Sequence, residues 1–148
     1  MTQNHILTTR SLTASDFDAW LVLWDAYLTQ NNVDMGWRDQ ITLFRTLLHR
    51  RQNSAALVVE CAGAVVGLAH YQIHSADFTF EHAYLVQDLY VLPAFHDHRA
   101  GAELVRAVYQ TSRENGVASV YWMAAEKTYR GGDCAAVTSP FLQFRKVA

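Results

Sequence analysis

Cysteine is scarce in this chain: only Cys61 and Cys134 occur among its 148 residues. They lie far apart in the sequence, and neither belongs to a CxxC pair or has histidines at zinc-ligand spacing, which argues against a disulfide framework and a zinc site. His96 and His98 share one polar loop, where solvated side chains are a simpler interpretation than metal ligands. We therefore predict reduced thiols and no metal.

A charge excess of one sign and long apolar runs are also missing. The 12 Lys and Arg residues nearly balance the 14 Asp and Glu residues, for a formal net charge of -2, so nothing indicates binding to nucleic acid or to an anionic membrane. No apolar run approaches the roughly 18 residues that span a bilayer, and MTQNHILTTR lacks the layout of a secretory signal. We expect one cytoplasmic domain over residues 1–148, large enough for a single core.

Apolar periodicity predicts the order of secondary structure. Thr13 to Asp16 form a capping-box pattern that starts the first helix. Ala62 and Gly63 form a turn signal between two strands, and Gly67 indicates a bulge or a close backbone approach. A further strand could hold Phe78 and Phe80. The other predicted strands are Ile6 to Leu12, Ala55 to Val59, Val65 to Ile73, Ala83 to Val91, Val117 to Ala125 and Phe141 to Lys146, and the other helices are Arg38 to Arg50 and one from about Ala100.

The most informative stretch is DLYVLPAFHDHRAGAELVRAVYQ, residues 88–110. An apolar strand ends at Pro93, which cannot donate to a ladder, and an amphipathic helix begins near Ala100 after a polar loop. The first amides of a helix lack internal partners and carry the positive end of its dipole, so a phosphate gains hydrogen bonds and Coulomb energy there. Gly101 would let a diphosphate approach the backbone. Because most junctions of this kind bind nothing, the pattern alone leaves an empty junction equally open.

Several phrases together resemble one family: FDAWLVLWDAYL, ECAGAVVGLAHY, YLVQDLYVLPAFHDHRAGAELV, VYWMAAE and FLQFRK. They are similar to the GNAT N-acetyltransferases, above all to small bacterial and diamine-type members, over nearly the whole chain. The resemblance implies a mixed α/β fold: a twisted, mostly antiparallel sheet of six to seven strands with helices on both faces. It also implies acetyl-CoA as cosubstrate, a primary amine of a small molecule or peptide as acceptor, and a possible homodimer.

The resemblance also implies where the cosubstrate binds. The pantetheine arm would pair with the strand at Leu89 to Val91, and the pyrophosphate would lie on the amides of Arg99 to Ala102. Arg99 stands where the family's loop has its first glycine, so its side chain could crowd the phosphate or form charge-assisted hydrogen bonds with it. The implied cofactor-binding residues are Leu89, Tyr90, Val91, His96, His98, Arg99, Ala100, Gly101 and Ala102.

The catalytic residues that the resemblance implies are Gln87, Asp88 and Tyr129. Gln87 stands where the family often has a proton-accepting glutamate, and an amide cannot take up that proton. Strand alternation predicts that Asp88 points to the opposite face of the sheet, which makes it an imperfect substitute. Tyr129 is the phenol nearest to the position of the family's acidic tyrosine. Gly131 and Gly132 predict that the helix after Glu126 is short or frayed and that residues 130–140 are irregular.

The first two helices and the loop between them would line the acceptor side. An aromatic and acidic pocket there would favour a cation through cation–π contacts and charge pairing. Trp24 and Tyr27 also lie on the apolar stripe of the first helix, which favours the core, and Asp34 is in a turn. The substrate-binding candidates are Trp24, Tyr27, Asp34, Trp37, Tyr71 and Glu81.

Three functions remain open from the sequence. The first is an active N-acetyltransferase that works by direct attack in a ternary complex. The second is a catalytically degenerate relative that binds CoA or a protein partner without turnover, which Gln87, Arg99 and the altered tyrosine segment favour. The third is an interaction protein with an empty cleft that dimerises through its last strands.

Overall fold

A computed structural model describes residues 6–74, 83–116, 119–123, 135–137 and 143–147 of the chain. The strands are β1 (Leu7–Ser11), β2 (Ser54–Cys61), β3 (Ala64–His74), β4 (Ala83–Val91), β5 (Ser119–Met123), β6 (Ala135–Val137) and β7 (Gln143–Val147), and the α-helices are α1 (Phe17–Gln30), α2 (Trp37–Leu48) and α3 (Ala100–Glu114). The described strands form one sheet in the order β1-β2-β3-β4-β5-β7-β6. Among these described strands, β4 and β5 are the one pair that runs parallel. The predicted fold class is confirmed.

The sheet separates two clusters of buried side chains, one on each face. On one face, Val59, Val86 and Val120 pack against Leu104 and Val108 of α3. On the other face, Val58 and Leu68 pack against the aromatic stripe of α1 and against α2. Because side chains alternate along a strand, neighbouring residues of β2 contribute to different clusters. The chain thus builds a three-layer core with α1 and α2 on one side of the sheet and α3 on the other.

An ion-pair network starts α1 at the predicted residue. The backbone amide of Thr13 donates to the Asp16 carboxylate at 2.8 Å, which is one half of the expected capping box. Arg10 donates to both oxygens of that carboxylate at 2.7 and 2.8 Å, and also to Glu60 of β2 at 2.8 Å. The Arg10 guanidinium holds the pKa of Asp16 below its usual value. The network connects the turn that precedes α1 to strands β1 and β2.

The hairpin of β2 and β3 has the predicted two-residue turn. Ala62 and Gly63 both have positive φ angles, 53° and 82°, as a type I′ turn requires. The register shifts between Val59 and Glu60, beside Gly67. A Cβ at Gly67 would lie 2.9 Å from Val59 Cγ1 and 3.0 Å from the carbonyl oxygen of Tyr90. Glycine is therefore required where β3 passes between β2 and β4.

Two predicted elements have other outcomes. The segment that was expected to hold a frayed helix and irregular chain contains β6, whose Ala135–Val137 pairs antiparallel with β7. In a helix, each of the two glycines would cost about 1 kcal/mol relative to alanine. Pairing with β7 gives the backbone hydrogen-bond partners without that cost. The predicted strand around Phe78 and Phe80 lies outside the described residues. No helix in the described parts of the chain is long and apolar enough to cross a membrane.

Candidate functional site

A bulge in β4 determines which side chains reach the α1 side of the sheet. His70 pairs with Asp88 but Tyr71 pairs with Val86, so Gln87 is an extra residue in β4. Gln87 donates to Gln72 at 2.9 Å, and Asp88 is 3.1 Å from His70. Because His70 and Gln72 are two residues apart on β3, they share a face. Gln87 and Asp88 therefore share that face too, and the predicted opposite orientation of Asp88 was wrong: a bulge interrupts the alternation.

The described pairing of β4 with β5 ends just before this bulge. β4 pairs with β5 from Ala83 to Val86, opposite Ser119 to Trp122, and the described ladder ends there. On its other edge β4 continues to pair with β3 as far as Val91, opposite Gly67. The last five residues of β4 thus have a partner strand on one edge alone among the described residues. An open edge presents backbone donors and acceptors to any extended group that lies beside it.

Backbone direction shows which groups face the open edge. The amide of Leu92 donates to Val66 at 2.9 Å and so points toward β3. The N–H and C=O of a strand residue point the same way, and adjacent residues point opposite ways. Val91 and Leu89 therefore direct theirs to the open edge. His96 Nε2 lies 2.8 Å from the Val91 carbonyl oxygen and donates to it, which leaves the Val91 amide and both polar groups of Leu89 facing the opening.

Helix α3 begins at the end of this edge. Its first ladder bond runs from the Glu103 amide to the Arg99 carbonyl at 3.0 Å, so the amides of Ala100 to Ala102 precede the ladder. Arg99 itself adopts the left-handed conformation, with φ 62° and ψ 20°, at the position where the resemblance expects glycine. Its side chain is exposed and forms no hydrogen bond or ion pair with the described residues.

A chain of aromatic and polar side chains lies on the α1 face beside Asp88. Trp20 Nε1 donates to His70 Nε2 at 2.9 Å, and the Trp24 ring lies 4.8 Å from the His70 ring. Trp24 also stacks on Tyr27 at 5.1 Å. Burial, together with the charge of the nearby Asp88 carboxylate, raises the pKa of the Tyr27 phenol. Tyr27 therefore stays protonated beside Asp88.

The other predicted site residues lie elsewhere or outside the described residues. Tyr71 is buried on the α3 face and stacks on Tyr84 at 5.3 Å. Since it alternates with His70 along β3, it belongs to the core and cannot line the acceptor side. Trp37 is 66% exposed at the start of α2, over the Arg38 guanidinium, and Asp34 is exposed in the preceding turn. The candidates outside the described residues are Glu81 and Tyr129, together with the side chain of His98.

Sequence reasoning missed Trp20 and His70 as parts of this site. Trp20 lies on the apolar stripe of α1 and is completely buried there, so its position indicates only a core residue. His70 interrupts the apolar phrase GLAHYQI at a position where alternation places a core residue, which was the available signal. Its partner Asp88 could not be identified because their pairing depends on the register of β3 and β4. Among the described residues, no group of three or more His, Cys, Asp or Glu side chains could hold a metal ion.

Both the sequence and the overall fold of this chain match known proteins. The sequence model of the Acetyltransferase (GNAT) family matches residues 16–131, which is more than three quarters of the chain. The chain belongs to the GNAT acetyltransferase family. The predicted family is therefore confirmed, and acetyl-CoA is the cosubstrate that membership supports.

Solved structures show the same fold in GNAT proteins at low sequence identity. A ribosomal-protein-alanine N-acetyltransferase from Brucella melitensis biovar Abortus 2308 superposes with a TM-score of 0.73 at 18% identity, over 90% of this chain and 96% of that one. An aminoglycoside N-acetyltransferase, AAC(6')-Iy in complex with CoA, gives 0.70 at 13% identity over 86% and 82%. A PaiA N-acetyltransferase from Thermoplasma acidophilum in complex with coenzyme A gives 0.65 at 12% identity over 97% and 99%.

The described residues fit acetyl-CoA in two respects. Leu89 and Val91 present backbone groups along the open edge, where an extended arm with amides could continue the sheet. The amides of Ala100 to Ala102 lie where this edge ends and have no acceptor among the described residues, so an anion could bind there. A Cβ at Gly101 would have Val91 Cγ2 as its nearest atom, at 3.9 Å, so the helix start lies directly against the end of β4.

Proposed function

We propose that this GNAT protein transfers the acetyl group of acetyl-CoA to a primary amine of a small molecule or peptide, by direct attack in a ternary complex. The observation that carries the proposal is the open edge of β4 beyond Val86, which adjoins the start of α3 at one end and the Asp88 carboxylate on the α1 face. Cosubstrate, acceptor and a negative charge can thus meet at one place. A cytoplasmic location and a homodimer, which the sequence led us to expect, stay predictions.

In the proposed complex, acetyl-CoA supplies a thioester carbonyl beside the bulge. Leu89 and Val91 hold the pantetheine arm through their backbone groups, and the amides of Ala100 to Ala102 hold the pyrophosphate. A backbone N–H on the open edge, that of Leu89 or Val91, donates to the carbonyl oxygen as negative charge develops on it. Such donors typically account for about 10²–10³-fold in turnover. Because these donors belong to the backbone, they remain available when side chains differ from those common in the family.

The acceptor nitrogen attacks the carbonyl carbon as a neutral amine. The C–N bond forms, the C–S bond breaks, and the thiolate leaves with a proton that the nitrogen has carried into the tetrahedral adduct. Positioning of the two reactants contributes most of such an acceleration. Gln87 takes no part in proton transfer because an amide is not basic.

The acceptor is proposed to be a cation, because a carboxylate and aromatic rings surround its place. Asp88 is 22% exposed at the side chain and forms no ion pair with a Lys or Arg of the described residues. Tyr27 and Tyr90 pack edge to face at 6.3 Å, beside that carboxylate. Uncompensated negative charge next to ring faces favours an ammonium group over a neutral or anionic acceptor.

Two measurements test the proposal. Calorimetric titration with acetyl-CoA should give saturable binding, and a flat trace at millimolar ligand would remove the cosubstrate from the proposal. A thiol-release assay over diamines, aminoglycosides and peptides with free amino groups should give turnover with a cationic amine. Binding without turnover over that panel favours the second candidate, a degenerate member that retains CoA. The observations that favour this candidate are Gln87 at the bulge and the left-handed Arg99.

A further inference from the structure

Trp20, His70 and Asp88 form a continuous chain of hydrogen bonds that leads from the core to the open edge. Trp20 Nε1 lies 2.9 Å from His70 Nε2, and His70 Nδ1 lies 3.1 Å from Asp88 Oδ2. Trp20 and His70 are buried, with exposures of 0% and 2%, whereas Asp88 reaches solvent. The chain joins α1, β3 and β4, and it meets β4 one residue after the bulge.

The tautomer of His70 follows from its partners. An indole N–H can only donate, so His70 Nε2 must be the acceptor in the contact with Trp20. The ring proton of neutral His70 is therefore on Nδ1 and is donated to the Asp88 carboxylate. The lone pair on Nε2 is occupied, which leaves His70 no free site to accept a proton from a substrate. His70 acts through another residue or not at all.

Asp88 keeps free acceptor capacity in this arrangement. A carboxylate has about four lone-pair sites, and the described hydrogen-bond donor to Asp88 is His70 from β3. The Tyr27 phenol of α1 lies near this carboxylate, whose charge adds to the burial that raises the pKa of the phenol, and the Tyr27 ring packs edge to face on Tyr90 of β4. The His70 hydrogen bond orients the carboxylate, and its other lone-pair sites, on a side chain that is 22% exposed, have no donor among the described residues.

We propose that Asp88 is the proton acceptor for the acceptor ammonium, and that His70, held as the Nδ1–H tautomer by Trp20, is the residue that positions it. The inference rests on the proposed function. The ammonium passes one proton to Asp88 and becomes the neutral amine that attacks the thioester. The second proton leaves the nitrogen of the adduct with the thiolate, and Asp88 returns its proton to solvent, so one amide, one free thiol and one proton result.

Two substitutions at His70 separate positioning from structural support. In H70N the side-chain amide can replace Nδ1–H as the donor to Asp88, but nothing replaces Nε2. In H70Q the longer side chain can replace Nε2 as the acceptor for Trp20, but it has no donor at the Nδ1 position. We expect H70N to retain most of kcat, within about threefold, and H70Q to lose about 10²-fold, the lower end of a general-base contribution. The KM for acetyl-CoA should be the same in both.

The thermal stabilities of the two His70 variants should follow the reverse order of their turnover. H70N leaves the buried Trp20 N–H unpaired and leaves a void, whereas H70Q keeps that hydrogen bond, so H70N should unfold at the lower temperature. Opposite orders for turnover and stability support the positioning role. If turnover falls in the same order as the unfolding temperature, His70 only supports the fold and the inference is overturned.

The tautomer itself is measured in the free protein, independently of any acceptor. The ¹⁵N chemical shifts of the His70 ring should show a protonated Nδ1 and an unprotonated Nε2. Trp20→Phe should convert this signature to a mixture of tautomers. Trp24→Phe is the matched control, because Trp24 is a buried neighbour whose Nε1 has no described partner, and it should leave the signature unchanged.

A His70 protonated at Nε2 in the wild type would overturn the inference, whereas the expected tautomer without turnover on any amine would count against the proposed function alone.

Discussion

Gln87 donates a 2.9 Å hydrogen bond to Oε1 of Gln72 across the bulge between β3 and β4. The residue that the resemblance places at the position of the family's glutamate is therefore one half of an amide pair. It lies on the same face as Asp88, and that face receives the acceptor in the proposed complex. A carboxylate introduced here would stand beside Asp88 and could still accept from the amide of Gln72.

Gln87→Glu should restore a second proton acceptor at the bulge. We expect kcat/KM for the best amine to rise about tenfold near neutral pH, since general bases contribute about 10²–10⁴-fold and Asp88 already supplies part of this. In an Asp88→Asn background, the same change should recover most of the lost turnover. Gln87→Met, which removes the amide without adding charge, is the control and should recover none. Recovery by both variants would show that the amide pair, not proton transfer, limits the rate.

Arg99→Gly should stabilise the protein. A left-handed conformation costs a residue with a Cβ about 1–2 kcal/mol, and the greater freedom of glycine in the unfolded chain offsets about 0.5–1 kcal/mol of the gain. We expect the free energy of unfolding to rise by about 0.5–1 kcal/mol in a urea titration. No change, or a loss, would mean that the Arg99 side chain makes stabilising contacts that offset its backbone conformation.

The charge of Arg99 is tested by a different substitution, Arg99→Met. The exposed guanidinium has no partner among the described residues and stands beside the proposed pyrophosphate site, so its loss should raise the Kd of acetyl-CoA about tenfold. Arg106→Met is the control for net charge, because Arg106 is exposed further along α3, and it should change the Kd little. Tighter binding by Arg99→Met would instead show that the side chain crowds the phosphate.

Gly101 tests the placement of the pyrophosphate. Its missing Cβ would have its nearest neighbour at 3.9 Å, an ordinary van der Waals distance, so Gly101→Ala should fold normally and bind acetyl-CoA within about threefold of the wild type. Gly101→Trp should block the approach to the first amides of α3 and raise the Kd more than tenfold. Both variants are measured by calorimetry, with thermal unfolding to verify the fold. Equal binding by the Trp variant would show that the pyrophosphate lies elsewhere.

Local signals were sufficient for most of the fold. The capping residues Thr13 and Asp16, the turn at Ala62 and Gly63, and the start of α3 at Ala100 were all predicted from side chains within a few residues of each other. Each depends on local chemistry: a carboxylate that meets helix amides, a positive φ, or an apolar stripe. Such features can be predicted without knowledge of how the strands pair.

The candidate site depends on register, which the sequence does not reveal. One extra residue in β4 brings Gln87 and Asp88 to the same face, and the ladder of β4 with β5 ends at Val86 among the described residues, yet no residue type marks that bulge. The hydrogen bond between His70 and Asp88 likewise joins residues 18 positions apart. Strand alternation therefore predicted the wrong face for Asp88, and the predicted cleft position of Tyr71 was also wrong.

Asp16 should control the acid stability of the fold. Its carboxylate accepts hydrogen bonds from Arg10 and Thr13, and chiefly the Arg10 hydrogen bond lowers its pKa. A carboxyl whose pKa is lower in the folded than in the unfolded state stabilises the fold at pH values above its pKa in the unfolded chain, which is about 3.9. This stabilisation is lost as the pH falls toward its pKa in the folded protein. The free energy of unfolding should thus decline below about pH 4.

Asp16→Asn should remove that contribution. At pH 7 we expect a loss of about 1.5–3 kcal/mol, typical of a hydrogen bond to a charged group, and the difference from the wild type should narrow as the pH falls below about 4. Urea titrations at pH 7 and pH 3 measure both values. Asp18→Asn is the matched control, since Asp18 is exposed in the first turn of α1 and should change stability by less than about 0.5 kcal/mol. A difference for Asp16→Asn that stays constant between the two pH values would show that its hydrogen-bonding geometry, rather than its charge, stabilises the start of α1.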